Sequence, residues 1–455
     1  MGCKTGGMRL PRNVALLNSL FPLAVLVFTI TGNANASCTG SSPTWTTTPD
    51  QASVQTCVTN ASSGDTVNVS AGSATWSGEV TVTKAMHIQG PGSGSGTKIT
   101  NGGFAFLPSS GEETKIFELN GFNFEGNQTH FDETGWGHLP VITSLKVHDN
   151  AFNGVSSGRA VFLDGLEFGV FYNNSFSGNF IDVSVIGAGW NGNSYPLCYG
   201  CSSYPYFEDN SIGNGVGAEF VSETGQGGRM VWRHNTVTGY DSGGGSEVFD
   251  IHGEQGSGGW TATSEYYHNT VGVGASPFRW MNQRGGQALI MNNTVSRALD
   301  FNFTELLGNG GFVCGISYPV SFNSSENSCS PANGTTCIRA QVTNSFYFNN
   351  LAGGSPQDPS FQNNGPYCGG QFESTFIQQN RDYWLPTYGL ESALPGTCTA
   401  DGNTYYGTTD TDKIYKCTAA NTWTLFYQPY TYPHPLRTNS QNAPNAPTNL
   451  AAVVQ

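Results

Sequence analysis

VHDNAF (147–152), FYNNSF (171–176), FEDNSI (207–212), WRHNTV (232–237), YYHNTV (266–271) and IMNNTV (290–295) are six versions of one phrase. Each holds an Asn (Asn150, Asn174, Asn210, Asn235, Asn269 and Asn293) with an apolar residue three places earlier and another two places later. The earlier position is Val147, Phe171, Phe207, Trp232, Tyr266 or Ile290, and the later one Phe152, Phe176, Ile212, Val237, Val271 or Val295. Successive Asn lie 24, 36, 25, 34 and 24 residues apart. That reads as a unit of about 24 residues carrying loop insertions of roughly ten in two turns. Strand-rich units with Asn at a bend and no helical spacing predict a coil whose turns stack at the sheet repeat of ~4.8 Å. Asn suits such a bend because it tolerates left-handed backbone and its amide bonds to the Asn above and below. NNS and NNT also fit the N-glycosylation pattern, but that pattern does not call for apolar residues at fixed offsets.

Working outward, a second family of strands runs between the Asn phrases: RAVFLDG (159–165), FIDVSVIG (180–187), AEFVSETG (218–225), EVFDIHG (247–253) and PFRWMNQRGG (277–286). These are expected to stack as another face of the coil. Ahead of them, GDTVNVSAG (64–72) alternates and breaks at Gly as first turns should, and Thr48-Pro49-Asp50-Gln51 reads as a helix start with Thr48 as the cap. Val54, Cys57 and Val58 then share one face of a short helix that plugs the open end of the coil. The aromatic-rich insertion before Asn210 (Trp190, Tyr195, Tyr199, Tyr204, Tyr206) is expected to project from the coil.

Five segments follow: a secretory signal over 1–36, an N-terminal cap region over 37–62, a parallel β-helix over 63–375, a C-terminal cap over 376–438 and an Asn/Pro/Ala-rich linker tail over 439–455. The signal rests on Lys4, Arg9 and Arg12, the apolar run from Ala15 to Thr31 and the Ala34-Asn35-Ala36 cleavage pattern. A lipoprotein reading with Cys38 acylated is weakened by Asn35. Removing Cys3 with the signal leaves ten cysteines, an even number suited to an oxidising compartment. Cys38 with Cys57 and Cys398 with Cys417 are plausible pairs, the latter closing a hairpin. Cys198-x-x-Cys201 reads as a structural disulfide in preference to half a zinc site or a redox pair, because no second C-x-x-C follows. No later segment is long and apolar enough to span a bilayer.

A formal charge of −14, with 18 Lys and Arg against 32 Asp and Glu, argues against nucleic acid or an anionic membrane as partner. Charged residues are scarce, yet the second strand family gathers Glu223, Arg229, Glu247, Asp250, His252, Glu254, Arg279 and Arg284 on neighbouring turns. With Phe249 and Ile251 inward, alternation turns Asp250 and His252 outward together. A uronate lyase needs a cation for the carboxylate and a base for the C5 proton, roles open to Arg284 or Arg279 and to His252. A hydrolase instead needs two carboxylates, and Glu223 with Asp250 or Glu254 are candidates. Arg279, Arg229, Trp190 and Tyr204 are the candidate substrate contacts. The bland readings are a His252 that bonds a turn carbonyl, an Arg284 salt-bridged at a bend, and acids that are solvated or paired with those arginines. Calcium held by Asp and Glu oxygens is open.

The Asn phrases, the GDTVNVSAG opening, the helical plug and the secretion signal together resemble the right-handed, single-stranded parallel β-helix proteins of the pectin lyase-like superfamily. The resemblance implies an enzyme that cleaves a polysaccharide in a groove on one sheet by β-elimination or hydrolysis, or a surface protein without activity. The chain is expected to be a secreted monomer that cleaves an extracellular polysaccharide, by elimination ahead of hydrolysis, with a non-catalytic glycan-binding module as the alternative. The paired aspartates, G-H-G and R-I-K of polygalacturonases are absent, IHG (251–253) being a partial echo, and no pectate-lyase calcium cluster matches.

Overall fold

The two apolar positions flanking each Asn belong to different sheets, because the Asn stands at a corner where the chain turns from one sheet into the next. In the turn that begins at Pro205–Glu208, the chain bends through Asp209 and Asn210, continues as Ser211–Ile212, crosses to Phe220–Gly225 and returns as Arg229–Arg233. Tyr206, Phe207 and Glu208 then lie in parallel register with Val231, Trp232 and Arg233. The computed structural model describes residues 37–438 apart from 95, 127–140, 155–158, 164–165, 179–180, 187–197, 214–219, 226, 242–246, 253–260, 276, 278, 304–341, 362–373 and 375–376.

Repetition of that turn builds three long sheets among the described residues, of thirteen, eleven and seven strands. Within the coil the pairing is parallel, so the molecule is an all-β parallel β-helix. The column Phe171, Phe207, Trp232, Tyr266, Ile290 and Tyr347 fills the core from the thirteen-stranded sheet, and Phe152, Phe176, Ile212, Val237, Val271 and Val295 fill it from the eleven-stranded one. Rings stack rung on rung, with Phe171 and Phe207 4.6 Å apart and Phe152 and Phe176 4.9 Å apart. Each such side chain contributes on the order of 1.5–3 kcal/mol by burial.

The Asn residues form a continuous ladder. Each Oδ1 accepts from the backbone N–H and the Nδ2 of the Asn one turn earlier, as Asn235 Oδ1 does from Asn210 at 2.9 Å in both cases. Each Nδ2 also donates to backbone carbonyls, Asn235 to Phe207 at 2.8 Å and to Arg233 at 3.0 Å. A seventh rung, Asn350, continues the ladder beyond Asn293 at 2.9 Å. One expectation is corrected: the left-handed residue is the one before each ladder Asn. Asp149, Asn173, Asp209, His234, His268, Asn292 and Asn349 have φ of 54°, 52°, 55°, 56°, 55°, 55° and 52°. Asp, Asn and His tolerate that conformation best after Gly, and placing it there leaves the following amide to bridge the turns.

The N-terminal end is closed by the helix Gln51–Asn60, which buries Ser53, Val54, Cys57 and Val58. Its cap is Asp50, whose carboxylate accepts from Ser53 N at 2.9 Å; Thr48 donates to that carboxylate at 2.6 Å instead of capping the helix itself. An acceptor carboxylate beside the helix start outcompetes the hydroxyl for the open N–H. Cys38 and Cys57 are joined, tying the first strand to the helix.

At the other end the strands Thr387–Gly389, Tyr405–Thr408, Ile414–Ala419 and Thr422–Tyr427 form a small sheet with Cys398 joined to Cys417. Residues 387–438 turn back along the outer face of the thirteen-stranded sheet. Tyr405, Ile414, Tyr427 and Leu436 pack there on Val170, Tyr206, Val231, Tyr267, Leu289 and Phe346. The strap 427–438 meets successive turns in reverse order. Tyr427 donates to Glu265 at 2.8 Å, Arg233 donates to the Tyr430 and Thr431 carbonyls at 2.7 and 2.8 Å, His434 N donates to Glu208 at 2.8 Å, and Arg437 lies over the Tyr172 ring. Tyr199, Tyr204 and Tyr206 therefore do not project. They fill the space between sheet and strap, because the outer face there is apolar and needs cover.

Candidate functional site

The outward row of the seven-stranded sheet carries the charge. Its strands are Arg159–Leu163, Ile181–Ile186, Phe220–Gly225, Glu247–Ile251, Arg279–Gln283, Asp300–Phe303 and Ser360–Phe361. Ser184, Glu223, Asp250, Asn282 and Asn302 stand side by side in register, one per strand. Phe249 and Ile251 enter the core, so Asp250 and His252 face away from it together.

Three of the singled-out residues converge. His252 Nε2 lies 3.6 Å from Asp250 Oδ2 and 3.7 Å from Glu223 Oε1. Arg284 closes on Asp250 through two parallel contacts, Nε to Oδ1 at 3.0 Å and Nη2 to Oδ2. Arg279 pairs with Glu247 at 3.1 Å, and Asn282 donates to the other Glu247 oxygen at 3.1 Å. Burial, then the charge of Asp250, pushes the Glu247 carboxyl above its usual range, with Arg279 and Arg284 pulling it back. All of these side chains are nearly or fully buried, so their attractions are screened little by salt.

Two neighbours escaped the sequence reading. Ser184 donates to Glu223 Oε2 at 3.0 Å, and Arg159 brings its guanidinium to 3.6 Å from the same oxygen while stacking over Phe162. Aligning the second strand family on its closing glycines sets Ser184, Asp250 and Asn282 level but misplaces Glu223 by one residue, so the row was only partly readable.

Other candidates fall elsewhere. Arg229 opens the next strand of the thirteen-stranded sheet, paired with Thr263, because Gly225 to Gly228 already makes the turn out of the charged sheet. Tyr204 is fully buried beneath the strap, bonds the Cys198 backbone and has its hydroxyl pushed up to about 12 by burial, so it offers no face to a sugar. Trp190 and Glu254 lie outside the described residues. Cys198 is bonded to Cys201.

Glu223, Asp250 and His252 each offer one ligand atom, all within 4.8 Å of one another. The set fits calcium poorly. Calcium takes six to eight oxygens, whereas here one donor is an imidazole, both Asp250 oxygens already carry Arg284, and Arg159 stands beside Glu223. What the arrangement offers is proton transfer: an imidazolium formed at His252 sits between two carboxylates that are themselves held in place.

Fold and site together define a disulfide-bonded parallel β-helix protein with a buried acid–imidazole–acid cluster on one sheet. No known protein family, curated protein or solved structure matches this chain.

Proposed function

We propose that this is a secreted, monomeric β-helix protein of the pectin lyase-like kind that cleaves an extracellular polysaccharide by β-elimination at the cluster around His252. The observation that carries the reading is the approach of His252 to both Glu223 and Asp250 on adjacent turns. His252 is the base that removes the proton α to a uronate carboxylate, and Arg284 and Arg279 are the cations within reach of that carboxylate. Asp250 holds Arg284 in position, so Arg284 serves a substrate by sharing its guanidinium between the two carboxylates. Secretion is supported by the signal-like N-terminus and by disulfides near both ends of the coil. Among the described residues, no helix is long and apolar enough to cross a membrane.

Hydrolysis draws support from Glu223 and Asp250, two carboxylates in register on adjacent strands of one face. It is the less favoured reading because Arg284 engages both oxygens of Asp250. A second reading, a glycan-binding module without turnover, draws support from the paired state of Arg284 and Arg279. Incubation of the purified protein with a panel of uronate-containing and neutral polysaccharides separates these. Ultraviolet-absorbing unsaturated ends support elimination. Reducing ends without that absorbance support hydrolysis and refute elimination, and binding with neither product supports the module.

A further inference from the structure

Residues 198–204 are wedged between the thirteen-stranded sheet and the C-terminal strap. Gly200 N donates to Glu265 Oε1 at 2.7 Å while Tyr427 of the strap donates to Glu265 Oε2 at 2.8 Å, so one buried carboxylate holds loop and strap together. Gly200 has a φ of +70°, and a Cβ there would lie 2.1 Å from the Gln428 carbonyl oxygen, so the two backbones touch. The flanks are tied as well: the Cys198 N–H donates to Tyr204 Oη at 3.1 Å, and the Tyr206 hydroxyl donates to the Cys201 carbonyl at 2.5 Å.

The Cys198–Cys201 bond spans a sequence separation of 3, against 19 for each of the other two disulfides among the described residues. A ring that small constrains the unfolded chain least, so general stabilisation is the weakest reason for its presence. Its direct effect is to hold the tight turn at Gly200 against Glu265 and Gln428. Both of its cysteines are half-buried, whereas each of the other two bonds pairs one half-buried cysteine, Cys38 or Cys398, with a fully buried one, Cys57 or Cys417, so of the three only this bond has both sulfurs open to attack. Attack by a thiolate depends on such access.

We propose that Cys198–Cys201 is an exchangeable disulfide, a modification site for dithiol reductants that latches the C-terminal strap to the coil. A thiolate of the dithiol bonds to one of the two sulfurs, the Cys198–Cys201 bond breaks, and the departing thiolate takes a proton from water. The second thiol of the reductant then displaces the mixed disulfide, leaving the reductant as a disulfide and Cys198 and Cys201 as thiols. Two electrons and two protons have passed to the protein. The freed turn relaxes, Gly200 leaves Glu265, and the strap loosens at Tyr427 and Gln428. The anchorage of Arg233 and Arg437 on Glu208 persists, so the opening is local.

The test treats the folded, full-length protein with increasing dithiothreitol, traps thiols by alkylation, maps them by peptide mass and follows amide exchange over residues 198–206 and 422–431. Cys198 and Cys201 are expected to label at reductant concentrations that leave Cys38–Cys57 and Cys398–Cys417 intact. Exchange at Tyr427 and Gln428 is expected to quicken on the order of tenfold or more. The C198S/C201S double variant is expected to show the fast exchange without reductant. Opening of the terminal disulfides first would overturn the exchangeable site. Unchanged exchange at 427–428 in both the reduced protein and the double variant would overturn the latch.

Discussion

Glu265 makes the docking of the C-terminal strap depend on pH, and Glu265→Gln isolates the effect. The carboxylate is fully buried, accepts from Gly200 N–H and the Tyr427 hydroxyl, and is faced by Tyr199, Tyr204, Tyr206 and Tyr267, with Arg233 as the charge that favours ionisation. Burial pushes it from 4.5 up to about 7. Between those values the folded protein holds a proton that the unfolded chain has released, so stability falls as pH rises from 4.5 to about 7 and stays reduced above it. At 1.36 kcal/mol per pKa unit the loss is about 3 kcal/mol. Burial also holds His434 down to about 3 and His234 down to about 4, which acts in the opposite sense, but those groups are common to both proteins and cancel in the difference. Urea unfolding of wild type and Glu265→Gln at pH 4.5, 6 and 8 is therefore expected to show near-equal stability at the lowest pH and a variant more stable by about 2–3 kcal/mol at the highest. Parallel stability curves across that window would refute the reasoning.

Asn235→Ala is expected to cost about 2–4 kcal/mol in urea unfolding, because it strips partners from buried groups of Asn210, Phe207 and Arg233. Thr236→Ala beside it, on an exposed position, is expected to stay within about 0.5 kcal/mol. Arg233→Ala leaves Glu208 buried with fewer donors and the strap carbonyls of Tyr430 and Thr431 unmet. A loss of about 3–5 kcal/mol is expected by the same assay, whereas a loss under 1 kcal/mol would show that the strap does not depend on this pair.

The coil was legible because fixed apolar offsets around each Asn survive loop insertions of any length. The seventh rung escaped for the same physical reason that insertions are tolerated: YFNNLA (347–352) obeys the pattern, but 57 residues separate Asn350 from Asn293. The left-handed residue was assigned one place late, since a phrase such as NN or HN does not reveal which of two polar residues bends and which bridges. The strap was unreadable because its contacts, such as Arg437 on Glu208 and Tyr172, join residues more than two hundred positions apart without periodicity. At the charged sheet, alternation placed Asp250 and His252 on one face. Whether Arg284 would stand open or close on Asp250 depends on strand register and the angle of approach, which spacing does not encode.

The ratio of kcat/KM for wild type to that for His252→Ala, on whichever polysaccharide the panel identifies, tests the central claim most directly. A general base at that position predicts a ratio of about 10²–10⁴, with the variant still unfolding in a single cooperative transition. Turnover equal to wild type, with the variant fully folded, would contradict the account.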